Sequence, residues 1–269
     1  MGDRELVERT DEPVTTDRIV DDLRSLGVDT GDTLLVHASL SAIGWVAGGP
    51  QAVVDALQRA VGETGTVVVP THTPQYIDPE QWSNPPVPEA WFESVRASMP
   101  PYRPAVTPSH GVGAIPECLR TYPEAVRSRH PLFSFAALGA DAAAIAGDHR
   151  LDFGLGEGSP LGRIYDRGGR VLMLGTGYET NTSIHLAEYR ASVSTERAEH
   201  RAPVRRDGER VVVAFEDIET STDDFERLGA AFERSAEVKR ESVGEANATL
   251  VAQQALVDFA VEWLEENRP

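Results

Sequence analysis

"TLLVHASLSAIGWVAGGPQAVVDALQRAVGETGTVVVP", residues 33–70, decides the fold. It opens on a short apolar run at 33–37 and closes on another at 66–70, each with the length of a buried strand. Between them "GPQAVVDALQRAVG" carries apolar residues at helical spacing and stops on glycine. Strand, helix, strand in that order argues for an α/β layer architecture with at least partly parallel pairing.

Working outward, "TTDRIVDDLRSLGVDTGD" looks like a capped amphipathic helix, with Thr16 as N-cap, Ile19, Val20, Leu23 and Leu26 on one side, and Gly27 as the stop. On the other side, residues 71–110 hold nine prolines and no sustained periodicity, which predicts a long structured loop or lid. Helices are expected near 112–121 and 139–147. Ser159 then caps a helix with Pro160 in its first position, and "RVLMLG" (170–175) is a strand. "ERVVVAFE" (209–216) predicts a late strand, "DDFERLGAAFER" a helix, and "ATLVAQQALVDFAVEWLEENR" one long C-terminal helix. Residues 1–269 are expected to form a single domain with 71–110 as its excursion.

The formal charge is −18, from 43 acids against 25 bases, and Lys239 is the one lysine. Acids spread along the whole chain fit a carboxylate coat suited to a salt-rich cytoplasm better than steering of a polycationic substrate. A basic face for nucleic acid is not visible, and no apolar run has the length of a bilayer. The single cysteine, Cys118, excludes an internal disulfide and fits a cytoplasmic setting.

The turn "ASLSAIGWVAGGP" carries a strand into a helix through small hydroxylated residues and glycines. Backbone N–H groups there, with a helix dipole behind them, suit a phosphate or pyrophosphate. The turn lacks the lysine of a Walker loop and the GxGxxG spacing, and an ordinary tight turn between core elements fits it somewhat better. "GEGSP" (156–160) is a second turn of this sort, or an ordinary capped helix. Together they could grip both ends of one long phosphate-bearing ligand.

"TSIHLAEYR" (182–190) places His185 and Glu188 three residues apart, directly after a strand. On a helix they share a face, so the carboxylate can fix the imidazole tautomer and raise its basicity, the arrangement of a general base. A helix cap or a core histidine is the plainer alternative. HxxE supplies only two metal ligands, so no metal site is expected. His37, His72 and His130 each fit a pocket wall or a turn, whereas His110, His149 and His200 look like surface residues. Cys118 lies on an amphipathic helix as a buried structural thiol rather than a nucleophile. Ser39 and Ser159 lack the GxSxG elbow, which argues against a hydrolytic serine.

With "VHASLSAIGWVAGGPQAVVDAL", "GETGTVVVPTHT", "RSRHP", "GEGSP" and "NTSIHLAE" in this order, the chain resembles the aminoglycoside N-acetyltransferases that act at the 3-amino group, over roughly residues 15–265. The resemblance implies a three-layer α/β/α fold around a central mixed, largely parallel sheet. It implies acetyl coenzyme A as co-substrate, with a substrate amine attacking the thioester directly in a ternary complex. His185 matches the base and Glu188 its accompanying carboxylate. Ser39, Leu40, Ser41, Ala42, Ile43 and Gly44, with Gly158, Ser159 and Pro160, match segments that line the coenzyme groove. Developing charge on the thioester oxygen needs donors, for which the 39–44 amides, Ser39 and Thr182 are candidates.

On the acceptor side, His72, Asp78, Glu80 and Trp82 are the candidate contacts to a small-molecule amine, an aminoglycoside or similar amino sugar. Carboxylates in so acidic a chain also fit plain solvated surface. The competing function is a protein that binds or senses acetyl coenzyme A without turnover. A homodimer is compatible with the sequence.

Overall fold

The computed structural model describes residues 3–268. Its strands are β1 (Thr33–Ala38), β2 (Thr66–Pro70), β3 (Val126–Arg127), β4 (Phe135–Gly139), β5 (Arg170–Leu174), β6 (Arg197–Arg206), β7 (Glu209–Ile218), β8 (Lys239–Val243) and β9 (Ala246–Ala252). Seven of them form one sheet in the order β3, β4, β2, β1, β5, β9, β8, while β6 and β7 pair apart as a hairpin.

The parallel pairing expected from residues 33–70 is present, with Leu34 opposite Val67 and, on the other side of β1, His37 opposite Met173 of β5. The remaining pairs of the sheet are antiparallel: β4 on β2, β3 on β4, β9 on β5 and β8 on β9. The sheet is therefore mixed as expected, but its parallel part is confined to the three central strands. Only two residues, Gly244 and Glu245, separate β8 from β9. So short a link can join antiparallel strands only.

Why the strand runs are unbroken is visible in their packing. Leu34, Val36, Val67, Val69, Leu172 and Leu174 point into one core. Leu35, Val68, Val171 and Met173, the residues between them, point into the other. A period of two with both faces buried requires helices on both sides, which gives the three layers. Each such side chain contributes about 1.5–3 kcal/mol through its burial.

The helices are α1 (Asp3–Arg9), α2 (Thr16–Leu26), α3 (Gly49–Val61), α4 (Phe92–Ser98), α5 (Ala114–Leu119), α6 (Ala142–Ala146), α7 (Pro160–Asp166), α8 (Ser183–Arg190), α9 (Phe225–Ser235) and α10 (Gln253–Asn267). α2, α3 and α5 cover the first face, through Ile19, Leu23, Leu57 and Ile115 among others. α6 to α10 cover the second, through Ile145, Leu161, Leu186, Phe225 and Leu264. None of the described helices is long and apolar enough to cross a membrane.

Three local expectations need correction. Thr15, not Thr16, caps α2: its hydroxyl accepts the Arg18 N–H at 3.3 Å, and Gly27 closes the helix at φ 99°. "ATLVA" is the strand β9 rather than the start of a helix, because Ala248 and Leu250 alternate into the first core while pairing with β5. The hairpin partner β6 escaped notice, although Asp207 and Gly208, at φ 49° and 87°, form the Asp-Gly loop that favours such hairpins. The charges of "RAEHRAPVRR" hid the strand.

The excursion is structured, with three short 3-10 turns and α4. Arg127 holds both of its roots: one guanidinium nitrogen donates to the Thr71 carbonyl at 2.7 Å, another to the carbonyls of Pro104 and Thr107. The β6–β7 hairpin closes over it, with Tyr102 N–H donating to Pro203 O at 2.7 Å and Arg210 donating to the Arg96 and Met99 carbonyls.

Candidate active site

The parallel strands β1, β2 and β5 end together, and open α/β sheets bind ligands beyond such carboxyl ends. His37 ends β1, His72 follows β2, and β5 leads through Thr176 to α8. Thr176 Oγ1 donates to the His37 carbonyl at 3.3 Å, tying the two strand ends.

α8 forms as expected and brings His185 and Glu188 into contact, His185 Nδ1 lying 2.5 Å from Glu188 Oε2. The carboxylate side chain is 1% exposed, and the imidazole 13%. Glu188 Oε1 receives the Ser221 N–H at 3.1 Å and an Arg268 N–H at 2.5 Å. With donors on both oxygens the carboxylate acts as acceptor, so Nδ1 carries the proton and Nε2 is left as the basic nitrogen. Phe225 packs on the ring at 4.9 Å between centroids, keeping it from rotating into solvent.

Two further histidines flank this pair. His37 Nε2 and His72 Nδ1 are buried without a hydrogen-bond partner among the described residues. Burial first, and the nearby His185 second, push both pKa values down to about 3, so both rings are neutral at pH 7. Sequence reasoning gave His72 to the acceptor and left His37 open.

The other histidines are structural. His130 Nδ1 accepts the N–H groups of Leu132 and Phe133 at 3.1 and 2.9 Å, and its Nε2 lies 3.0 Å from the Leu151 carbonyl. Both nitrogens are consumed, and burial pushes its pKa to about 4. His149, expected on the surface, is buried instead: Nδ1 meets the Ser128 hydroxyl at 2.9 Å and Nε2 the Gly154 carbonyl at 2.7 Å. His200 is half-buried against Phe215, and His110 alone of the three is exposed. Cys118 is only partly buried on α5, and desolvation followed by Asp55 raises its pKa, as suits an unreactive thiol.

The turn 39–44 follows β1 directly. Ser39 N–H extends the ladder to Leu174 O at 2.9 Å, and Leu40, Ser41 and Ala42 make one 3-10 turn. The turn is less rich in free donors than expected, because the Ala42 and Ile43 N–H groups bond back to Ser39 and Leu40. Ile43 is fully buried in the first core and offers a groove only its backbone. Gly44, at φ 99°, lies so close to the Glu245 carboxylate that a Cβ would meet it at 2.9 Å.

Gly158 lines a cavity of about 590 Å³ that also borders Glu188 and Tyr189. Ser159 and Pro160 lie beneath, buried, with the Ser159 hydroxyl accepting the Leu161 N–H at 3.1 Å. Ser39 Oγ meets Ser41 Oγ at 3.3 Å. Neither serine has the imidazole contact a nucleophile needs.

Of the acceptor candidates, His72 flanks the dyad, whereas Asp78, Glu80 and Trp82 lie on the excursion. Asp78 takes two bonds from Arg96, at 2.7 and 2.8 Å, which with the Glu80 N–H hold its carboxyl below the usual range against the opposing effect of burial. Glu80 also meets Arg96, at 3.3 Å. Both line a cavity of about 660 Å³ between the excursion and the hairpin. Trp82 donates its indole N–H to the Ile77 carbonyl at 2.9 Å. Among the described residues, no group of three or more His, Cys, Asp or Glu could hold a metal ion.

Arg268 was missed. Arg268 lies 80 positions from Glu188, so no local spacing could announce it.

Comparison with known proteins agrees with this fold. A sequence model of the family described as aminoglycoside 3-N-acetyltransferase matches residues 35–265. The SPbeta prophage-derived aminoglycoside N(3')-acetyltransferase-like protein YokD of Bacillus subtilis is 44% identical over 98% of this chain and 97% of its own. Its crystal structure superposes with a TM-score of 0.96, at 43% identity over 98% of both chains. Aminoglycoside N(3)-acetyltransferase VII of Streptomyces paromomycinus is 40% identical over 99% of this chain and 96% of its own. A structure described as AAC-IIIb binary with CoASH has a TM-score of 0.86, at 32% identity over 96% of this chain and 98% of that one. The chain belongs to the aminoglycoside 3-N-acetyltransferase family.

Proposed function

We propose that this protein moves an acetyl group from acetyl coenzyme A to a primary amine of an aminoglycoside or similar amino sugar, with His185 as general base. The observation that carries the reading is the His185–Glu188 contact at the common end of the parallel strands, with Nε2 left to accept a proton. Once an ammonium acceptor has released one proton to solvent, the neutral amine nitrogen bonds to the acetyl carbon while His185 Nε2 takes a second proton from it. The imidazole returns that proton to the sulfur as the carbon–sulfur bond breaks. Such a base is typically worth 10²–10⁴-fold.

Coenzyme is supported by the small-residue turn 39–44 at the end of β1 and by the unsatisfied nitrogens of His37 and His72, which a ligand's polar atoms would satisfy. The binary complex of a relative with CoASH adds to that support. On this reading the turn 39–44 holds the coenzyme mainly through backbone and hydroxyl groups. Neutral His37 and His72 lay no positive charge against an incoming ammonium, which favours a cationic acceptor.

Thiol release from acetyl coenzyme A, measured with aminoglycosides and simpler amino sugars as acceptors, tests the proposal. His185→Ala is expected to lower kcat by about 10²- to 10⁴-fold while coenzyme binding by calorimetry persists. Full turnover in that variant would overturn the mechanism. Tight coenzyme binding by the unaltered protein, with no acceptor acetylated, would favour a sensor.

A further inference from the structure

We propose that Arg268 is a positioning residue for the dyad, its guanidinium fixing the Glu188 carboxylate so that His185 keeps its proton on Nδ1 and its lone pair on Nε2. The inference rests on the acyl-transfer reading of His185 and extends it to the segment beyond α10.

Arg268 donates to Glu188 Oε1 at 2.5 Å, to Asp224 at 2.6 and 2.9 Å, and to the Ser221 carbonyl at 2.9 Å. Ser221 gives its own N–H to the same Glu188 oxygen at 3.1 Å. One guanidinium thus closes a ring of α8, the segment before α9 and the end of α10 around a carboxylate that is 1% exposed. A carboxylate so deeply buried needs donors on its oxygens, and Arg268 supplies one of them together with an opposite charge, from a planar fork. Oε1 is occupied by Arg268 and Ser221, which leaves Oε2 for the imidazole.

The remaining titratable groups near the dyad offer no substitute cation. His37 and His72 are neutral, and Tyr189, the next residue on α8, donates its hydroxyl to Asp217 of β7 at 2.6 Å. Asp224 is bound by Arg268 itself, and Glu265 of α10 accepts the Ser192 N–H at 2.8 Å. Arg268 is the single positive charge hydrogen-bonded to Glu188 among the described residues.

Arg268→Ala should lower kcat by about ten- to a hundredfold, part of what the base itself supplies, and leave KM for acetyl coenzyme A within about twofold. Losing a cation stabilises the imidazolium, so the acid limb of kcat/KM should move to higher pH. Arg268→Lys keeps the charge without the fork, so the limb should return to its wild-type position with kcat intermediate. The His185 ring, titrated by NMR, should shift upward in Arg268→Ala and not in Arg268→Lys. That titration needs no turnover, so it decides the proposal even if no acceptor is ever acetylated. An unmoved His185 titration in Arg268→Ala overturns the positioning role, whatever happens to kcat or to the melting temperature.

Discussion

The helix α8 and the excursion at 71–110 each set carboxylates against an arginine, and the two sets differ in where the water is. In α8, Glu188 is 1% exposed and Arg268 19%. In the excursion, Asp78 and Arg96 are 27% and 36% exposed, while Glu80 and Glu93 reach 72% and 89%. Breaking a buried pair strands a charge and costs about 3–5 kcal/mol, whereas an exposed pair is worth about 0.2–1 kcal/mol. The same residue types therefore hold an imidazole in one orientation in the first place and give a solvated loop its shape in the second.

The largest effect should come from Glu188→Gln. The carboxylate receives donors on both oxygens, and an amide nitrogen cannot accept, so either His185 or the Arg268–Ser221 side loses its acceptor. We expect kcat to fall by about 10²-fold or more with coenzyme affinity little changed. Steady-state kinetics paired with calorimetry would measure both, and a loss below about threefold would erase the contrast between the two regions.

Acid should act on both regions through the neutral histidines. His37 and His72 have folded pKa values of about 3, and His130 of about 4, against 6.5 for the free side chain. A lowered folded pKa means that the unfolded chain binds the proton more readily. Stability is then full above about pH 6.5 and falls as pH drops toward 4, by about 1.4 kcal/mol per pH unit for each such histidine. Urea unfolding at pH 7 and at pH 5 reads this directly, and equal stabilities at the two would contradict the burial of these rings. His72 and His130 stand where the excursion joins the sheet, so limited proteolysis should find that junction loosened first.

Asp78→Asn should do least. Its ion pair with Arg96 is partly solvated, so a loss of about 0.5 kcal/mol or less in stability and an unchanged kcat are expected. A drop in kcat comparable to that of Glu188→Gln would place Asp78 in the chemistry and redraw the boundary between the two regions.

The layered core was legible because its rules are local. The runs at 33–37, 66–70 and 170–174 alternate between two cores, and the glycines that end α2 and begin β2's approach sit where a helix must stop. His185 and Glu188 were legible for the same reason: three residues on one helix turn fix their contact before any tertiary structure is considered. Arg268 was not, because its meeting with Glu188 depends on how α10 packs against α8. β6 was not, because a hairpin lying over the excursion keeps polar residues on its outer face and shows too weak an alternation. The partner of Asp78 was not legible either, since only the fold places Arg96, 18 positions away, beside it.

Arg127 gives the excursion one further property. A single guanidinium grips its first residue and the stretch near its end, so the two roots are fixed relative to each other by neutral carbonyls rather than by the loop's own sequence. The segment between those roots is therefore anchored to β2 and β3 independently of its own length or composition. On the proposed acetyl-transfer reading, a different amine would be accommodated by revising that one surface segment while the His185–Glu188 contact stays as it is.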